Sequence, residues 1–392
     1  MAELLWDDVA KGVEDYATYV ARGGYQALEE ARAIGPDAVI ARLALAGLRG
    51  RGGAAFPTAK KWQAVRASAS STRYLVVNGA EGEPGSFKDR QLMEHRPHLV
   101  LEGALIAAET IEAEALWIYV NDKFPGAAKA LSEAWQALVR AHIVSPERLT
   151  CHLVVETHVY IAGEETALLQ RLEGKPAQPW HRPPYPTTRG LFGQPTVVNN
   201  VETLAAVPVV LRRGPEWFRH HHPLLFSLSG DVQRPGVYEL PLGTPLTELL
   251  ARGGGPPAGA RWLGVLPGGY SMPLVGPEHL ETPLDYEALK AVGSGLGASV
   301  IALASTRSLE AVAQEVAAFF ARETCGKCPV CVRASRRMAE VWTQGVQGSQ
   351  REELLAYAQR HRHKGICTFL DTASWMTERF VNRLAPEVKT PS

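Results

Sequence analysis

Three cysteines on one short stretch, Cys325-Gly326-Lys327-Cys328-Pro329-Val330-Cys331, and a fourth at Cys367 constrain this chain more than any other feature. The spacing puts three ligands on a single turn and leaves the fold to bring in the last. A four-iron, four-sulfur cubane needs that arrangement, because each iron corner takes one thiolate and three adjacent corners can be reached from one loop. Zinc is the competing reading, but zinc sites more often pair cysteines two and two, each pair on its own knuckle. The bland reading, four buried small hydrophobes, does not explain the spacing. Cys151 stands alone and reads as structural, and five cysteines in so long a chain do not make a disulfide framework.

At 392 residues the chain exceeds one ordinary core, so two to four domains are expected, and 46% hydrophobic residues are ample to bury them. Lys plus Arg equals Asp plus Glu at 41 each, which removes the overall attraction a nucleic-acid or anionic-membrane binder would show. No apolar run reaches the roughly eighteen residues of a membrane span, and Met1-Ala2-Glu3-Leu4 lacks the start of a secretory signal. The expectation is a cytoplasmic protein with no direct membrane insertion and no nucleic-acid partner.

Apolar positions from Tyr16 to Leu48 have helical spacing broken at Gly23-Gly24 and Gly35-Pro36, which predicts two short helices. A glycine-rich loop, Gly50 to Thr58, leads into a helix beginning near Lys60-Lys61-Trp62. Strands are expected at Tyr74–Asn78, Ala115–Val120 and Leu153–Val155. They alternate with an amphipathic helix at Pro97–Ile111, a helix at Ala127–His142 and another opened by Gly163-Glu164-Glu165-Thr166. Such alternation favours a mainly parallel sheet. The proline-rich segment from Lys175 to Pro195 reads as an ordered surface loop. From Leu225 the texture changes to short strands at Phe226–Gly230, Gly236–Leu240, Gly264–Gly269 and Ser299–Leu303, and helical periodicity returns after Ser308.

The loop containing Gly50, Gly52 and Gly53 would let backbone N–H groups approach an anion, with a helix N-terminus beyond it and Lys61 to neutralise a phosphate. A structural turn and a surface lysine are the plain alternatives, and the G-x-G-x-x-G dinucleotide fingerprint is absent from its usual strand-turn-helix context. The acidic pairs Glu81 with Glu83 and Glu164 with Glu165 fall where open α/β sheets bind ligands, but carboxylates at helix starts are also simply favourable electrostatics. Asn199-Asn200 reads as loop asparagines that satisfy local backbone. His220-His221-His222 lies in a polar connection with adjacent rings diverging, which argues against a metal site. Trp117 and Tyr119 fit strand packing.

Taken together the motifs resemble the NADH-oxidising, flavin-carrying subunit of respiratory complex I and its soluble relatives, the diaphorase subunits of NAD-dependent hydrogenases and formate dehydrogenases. The resemblance runs from about Tyr16 to about Phe380. It is carried by Leu48-Arg49-Gly50-Arg51-Gly52-Gly53-Ala54-Ala55-Phe56-Pro57-Thr58, Glu83-Pro84-Gly85-Ser86-Phe87-Lys88-Asp89-Arg90, Gly163-Glu164-Glu165-Thr166-Ala167-Leu168, Pro195-Thr196-Val197-Val198-Asn199-Asn200-Val201-Glu202-Thr203 and Glu323-Thr324-Cys325-Gly326-Lys327-Cys328.

The resemblance implies an α/β multidomain chain. An N-terminal helical segment would cover 1–48, a Rossmann-like FMN- and nucleotide-binding domain 49–222, a β-grasp domain of the soluble-ligand-binding type 223–306, and a helical bundle holding [4Fe-4S] 307–392. It implies an NAD(P)H dehydrogenase of diaphorase type, using FMN and NADH or NADPH. Gly50, Gly52, Gly53, Lys61, Asn78, Tyr160, Gly163, Glu164, Asn199, Asn200 and Thr203 would hold flavin. Phe56, Glu83, Glu165, Arg182 and Tyr185 would lie where the family contacts NADH, with Glu83 and Glu165 as the catalytic pair. The cluster would sit on Cys325, Cys328, Cys331 and Cys367. Implied partners are a thioredoxin-like [2Fe-2S] subunit and a larger iron–sulfur or catalytic subunit, which could hold the chain peripherally at the inner face of a membrane.

Several departures fall on the flavin and nucleotide sites. Ala55 replaces the family's glycine before Phe56, Ala80 an expected aspartate, and Ala64 an aromatic often found after Trp62. Glu156-Thr157-His158-Val159 replaces Gly-Ala-Gly-Ala before Tyr160. Larger side chains there bear on the space a flavin needs. The alternative function is therefore a non-catalytic electron-transfer or scaffold subunit on the same fold, with the cluster kept and the flavin or nucleotide lost.

Overall fold

The computed structural model describes Leu4 and residues 12–384; the expectations placed on Met1-Ala2-Glu3 and on the last eight residues lie outside the described residues. The chain forms two compact units. The first takes residues 1–82, 86–227 and 237–242, and the second 83–85, 228–236 and 243–392.

In the first unit four strands form a wholly parallel sheet: β1 (Tyr74–Gly79), β2 (Ala115–Asn121), β3 (Thr150–Glu156) and β4 (Thr196–Asn200), in the order β3-β2-β1-β4. Leu75 pairs with Leu116 on one side and Val197 on the other. The inner strands are buried nearly throughout, as continuous Leu/Ile/Val runs require when helices cover both faces. Pro97–Ile111, expected to be amphipathic, is instead buried almost all round, and a helix apolar on every side belongs inside. It packs on Val201–Arg213 so closely that a Cβ on Gly103 would fall 1.9 Å from the Leu204 carbonyl oxygen.

Three N-terminal helices form where two were expected: Tyr16–Ala21, Gln26–Ile34 and Pro36–Ala46. Both predicted breaks interrupt the chain, so the segment divides twice. His98 bonds to the Tyr25 hydroxyl at 2.7 Å, and the Glu102 carboxylate accepts hydrogen bonds from the Tyr19 hydroxyl and the Leu28 N–H, all inside the core. His220 and His221 end the Pro215–His221 helix, and His222 is its left-handed C-cap. His220 and His221 each bond a carbonyl one turn back.

A second sheet has the order β6-β5-β8-β7, built from β5 (Pro223–Gly230), β6 (Gly236–Pro241), β7 (Trp262–Tyr270) and β8 (Ser299–Ala304). β7 and β8 run antiparallel. Four helices follow in the second unit: Leu309–Arg322, Pro329–Gln344, Ser349–His361 and Phe369–Arg383. Phe320 and Phe369 meet edge to face at 5.2 Å, and Trp342 is 1% exposed.

Candidate functional site

Strand order identifies where a ligand can enter the parallel sheet. The chain lays β2 and β3 on one side of β1 and β4 on the other, so the topological switch point lies between β1 and β4, and ligands bind outside the carboxyl ends of such strands. Asn78 is near the end of β1, and Asn199 and Asn200 end β4. The asparagines read as loop residues are therefore strand-terminal.

Most sequence-identified residues of the first unit gather there. Lys61, on the Thr58–Arg66 helix, donates to Glu165 at 2.9 Å and to the Val198 carbonyl at 3.0 Å. Arg182 Nη1 lies 3.1 Å from Glu165, and Nη2 lies 3.4 Å from Glu164. Asn78 donates to the Gly163 carbonyl at 3.0 Å. Thr203 accepts the Arg51 N–H at 2.9 Å, which ties the glycine loop to the helix after β4. Asn199 accepts from the Trp62 indole at 2.7 Å. Asn200 caps Val201–Arg213 through the Glu202 and Thr203 N–H groups.

Glu164 likewise caps Glu165–Leu172, accepting from Thr166 and Ala167, so one of its oxygens is structural. Its other oxygen, Oε1, is buried without a hydrogen bond. Arg182 Nη2 lies 3.4 Å from this oxygen and meets it as an ion pair. A Cβ on Gly53 or Gly163 would meet nothing within 4 Å, so the backbone there borders open space. Phe56 and Tyr185 are about half exposed, and Tyr160 opens a 3-10 turn ending at Gly163. These features fit a flavin phosphate and ring. The enlarged residues do not oppose it: Glu156 pairs with Arg171 at 2.6 Å, and His158 turns to Asn121 at the end of β2, at 2.7 Å.

Sequence reading missed the buried charges beneath this site. Glu202, entirely buried, receives Arg51 and Lys88, each at 2.8 Å, and Asp89 receives Lys88 at 2.8 Å and Asn200 at 2.5 Å. Burial would raise the Glu202 carboxyl, but Lys88 and Arg51 outweigh it and hold that carboxyl below its ordinary range. No local spacing marks this network, whose members come from three separate segments. The acidic pair Glu81/Glu83 is split. Glu81 accepts the Asp89 and Arg90 N–H groups at the start of Lys88–His95, a helix whose own N-cap residue, Phe87, offers no side-chain bond. Glu83, in the second unit, accepts from the Tyr270 and Ser271 N–H groups and the Ser271 hydroxyl at 2.6–3.1 Å.

The four clustered cysteines gather at two helix starts. Cys328 is the N-cap of Pro329–Gln344 and Cys331 lies in its first turn, while Gly326, at φ +80°, lets the chain turn between Cys325 and Cys328. Cys367 immediately precedes the N-cap of Phe369–Arg383. None of the five cysteines is in a disulfide. Among the described residues no three His, Cys, Asp or Glu side chains stand in finished metal-holding geometry. The Cys331 thiol is pushed up to about 12, chiefly by burial and further by the charges of Cys367, Cys328 and Cys325. Thiolates are soft donors, and the starts of these two helices present positive dipole ends, which suits an anionic iron–sulfur cluster. Cys151, in β3, is half-buried, and its surroundings push the thiol up to about 12, which makes it unreactive.

A parallel sheet with its switch point beside these groups, on the same chain as three cysteines at one helix start and a fourth at another, defines the class of electron-transfer flavin and iron–sulfur proteins. Known families agree. The Nuo51 FMN-binding domain matches residues 43–209, the SLBB domain residues 225–274, and the NADH-ubiquinone oxidoreductase-F iron-sulfur binding region residues 311–390. One of the F subunits of NADH-quinone oxidoreductase in Rhizobium meliloti, its second, is 42% identical over 80% of this chain and 78% of its own. The corresponding F subunit of Mycobacterium bovis is 42% identical over 83% and 77%. In the crystal structure of the air-oxidised NAD+-reducing [NiFe]-hydrogenase, a chain superposes with a TM-score of 0.81 at 34% identity, covering 92% of this chain. This chain spans 65% of that hydrogenase chain. The protein belongs to the family of NADH-quinone oxidoreductase F subunits.

Proposed function

We propose that the chain is the NADH-oxidising, electron-distributing subunit of a multisubunit oxidoreductase. The observation that carries this reading is the gathering of Lys61, Asn78, Gly163, Glu164 and Glu165 at the β1/β4 switch point, on a chain that also carries the four-cysteine pattern. FMN, when bound, accepts a hydride and returns its electrons singly, which lets a [4Fe-4S] cluster carry them onward. Lys61 supplies the cation for the flavin phosphate, and Gly50, Gly52, Gly53 and Gly163 let backbone approach the ring. Asn78, Tyr160, Asn199, Asn200 and Thr203 line the flavin site. Glu165, with Arg182 as its counter-ion, and Glu83 orient the nucleotide, while Phe56 and Tyr185 offer aromatic surface for its rings. Cys325, Cys328, Cys331 and Cys367 hold the cluster.

The proposed organisation is a helical segment to residue 48, a Rossmann-like domain over 49–222, a β-grasp domain over 223–306 and a cluster-bearing bundle from 307. A thioredoxin-like [2Fe-2S] subunit and a larger iron–sulfur subunit are the proposed partners, placing the complex on the cytoplasmic side. Among the described residues no helix is long and apolar enough to cross a membrane.

The test is anaerobic purification followed by denaturation and FMN fluorescence, then NADH-dependent dye reduction by the intact protein. Released FMN with dye reduction is expected. A preparation with no FMN that takes up none on reconstitution would overturn the enzyme reading in favour of a scaffold subunit.

A further inference from the structure

Among the four cysteines, Cys331 has a hydroxyl one turn away. Ser335 lies at i+4 on the same face of Pro329–Gln344, 1% exposed, and its Oγ has no partner in hydrogen-bonding geometry. A helical serine normally bonds the carbonyl four residues back, which here belongs to Cys331, and Ser335 does not. Its surroundings offer little else. The adjoining cavity, about 10 Å³, is lined mainly by apolar side chains such as Val316, Phe320 and Trp342, and its other hydroxyl, Thr377, is directed at the Met338 sulfur at 3.5 Å. So small a space with so few polar groups does not hold a water. A buried donor without an acceptor is costly, and the Cys331 sulfur, one turn back on the same helix face, is the neighbour that can relieve it.

We propose that the Ser335 hydroxyl donates a hydrogen bond to the Cys331 thiolate once it ligates iron and thereby raises the cluster's reduction potential. The inference rests on the cluster assignment above. A reduced cluster carries more negative charge on its sulfurs than an oxidised one. An O–H aimed at a ligating sulfur is therefore worth more in the reduced state and favours electron uptake. Ser335 acts through Cys331 and is a positioning residue.

The experiment is a redox titration of the full chain, purified anaerobically and followed by the electron paramagnetic resonance signal of the reduced cluster. Iron and sulfide are assayed on every sample. Ser335→Ala and Ser335→Val should stay loaded, and at the native midpoint their oxidised-to-reduced ratio should rise by up to about tenfold, ~59 mV for a one-electron couple. Ser335→Thr keeps the hydroxyl, so in loaded protein its potential should match the native one. Thr against Val decides the matter if the Ala variant does not fold. Ser374 controls for bundle packing: it too is buried and partnerless, but two turns beyond Cys367, so Ser374→Ala should leave the potential in place. Hydroxyl-free variants at the native potential, or an equal shift in Ser374→Ala, would overturn the inference. So would loss of the cluster from both hydroxyl-free variants while Ser335→Thr stays loaded, since the hydroxyl would then be structural. Native protein without iron and sulfide would instead overturn the cluster assignment, and this inference with it.

Discussion

Arg51 Nη1 donates to Glu202 Oε1 at 2.8 Å, with the two side chains 1% and 0% exposed. The pair fastens the glycine loop to the helix that follows β4, and Lys88 closes on the other carboxylate oxygen. Breaking a buried pair leaves an uncompensated charge, which costs far more than the pair contributes to stability. Glu202→Gln strands two cations together and should lower unfolding free energy by about 3–5 kcal/mol. A denaturant midpoint within error of the native protein's would remove this network from the account of what supports the site.

His98 gives a pH dependence of definite sign. Burial holds its imidazole down to about 4, and the ring is neutral against Tyr25 in the folded chain. The unfolded chain takes up this proton near the ordinary histidine value of about 6.5, before the folded chain does. Stability from this group is therefore complete above that value and declines as pH falls toward 4, at up to about 1.4 kcal/mol per pH unit. Denaturant midpoints measured at pH 7 and pH 5 should show the decline, and His98→Gln should flatten it. An equally steep slope in the variant would assign the effect to other groups.

Much of this was legible in the sequence, and the misses have physical causes. β1, β2 and β3 announced themselves as apolar runs between turn signals. β4 was missed because its five residues end in Asn199-Asn200, which individually favour turns. Lys88–His95 was missed because it lacks a local cap: Glu81 supplies it from outside the helix. For the same reason Glu81 and Glu83, two residues apart, looked like one acidic pair although their carboxylates serve different units. Cysteine spacing was the most readable signal, since ligand chemistry constrains positions that tertiary packing does not override. The Ser335 hydroxyl carried no signal, because only burial reveals that it lacks a partner.

Lys61 tests the flavin site. Its ammonium is held between Glu165 and the Val198 carbonyl at the switch point, so an incoming phosphate meets a positioned cation. A hydrogen bond to a charged group contributes about 1.5–3 kcal/mol. Lys61→Ala should therefore raise the FMN dissociation constant about ten- to a hundredfold, read by fluorescence quenching on titration of the apo-protein. The same dissociation constant in both proteins would place the phosphate elsewhere.

Cys328 tests the second centre separately from the first. It caps Pro329–Gln344 without a side-chain hydrogen bond, so its sulfur is not consumed by the helix. The switch-point residues belong to the first unit and the four cysteines to the second, so damage to one centre need not reach the other. A serine hydroxyl at this position stays protonated near neutral pH and is a hard, poor ligand for a cluster that takes thiolate. Cys328→Ser should therefore lose most of its iron, its acid-labile sulfide and its absorption toward the blue end of the visible range. FMN content should remain at the native level, and dye reduction that draws directly on the flavin should persist. If the variant keeps four irons per chain, Cys328 is not a ligand. If flavin is lost along with iron, the two centres depend on one another for folding, and the separation argued from the two units fails.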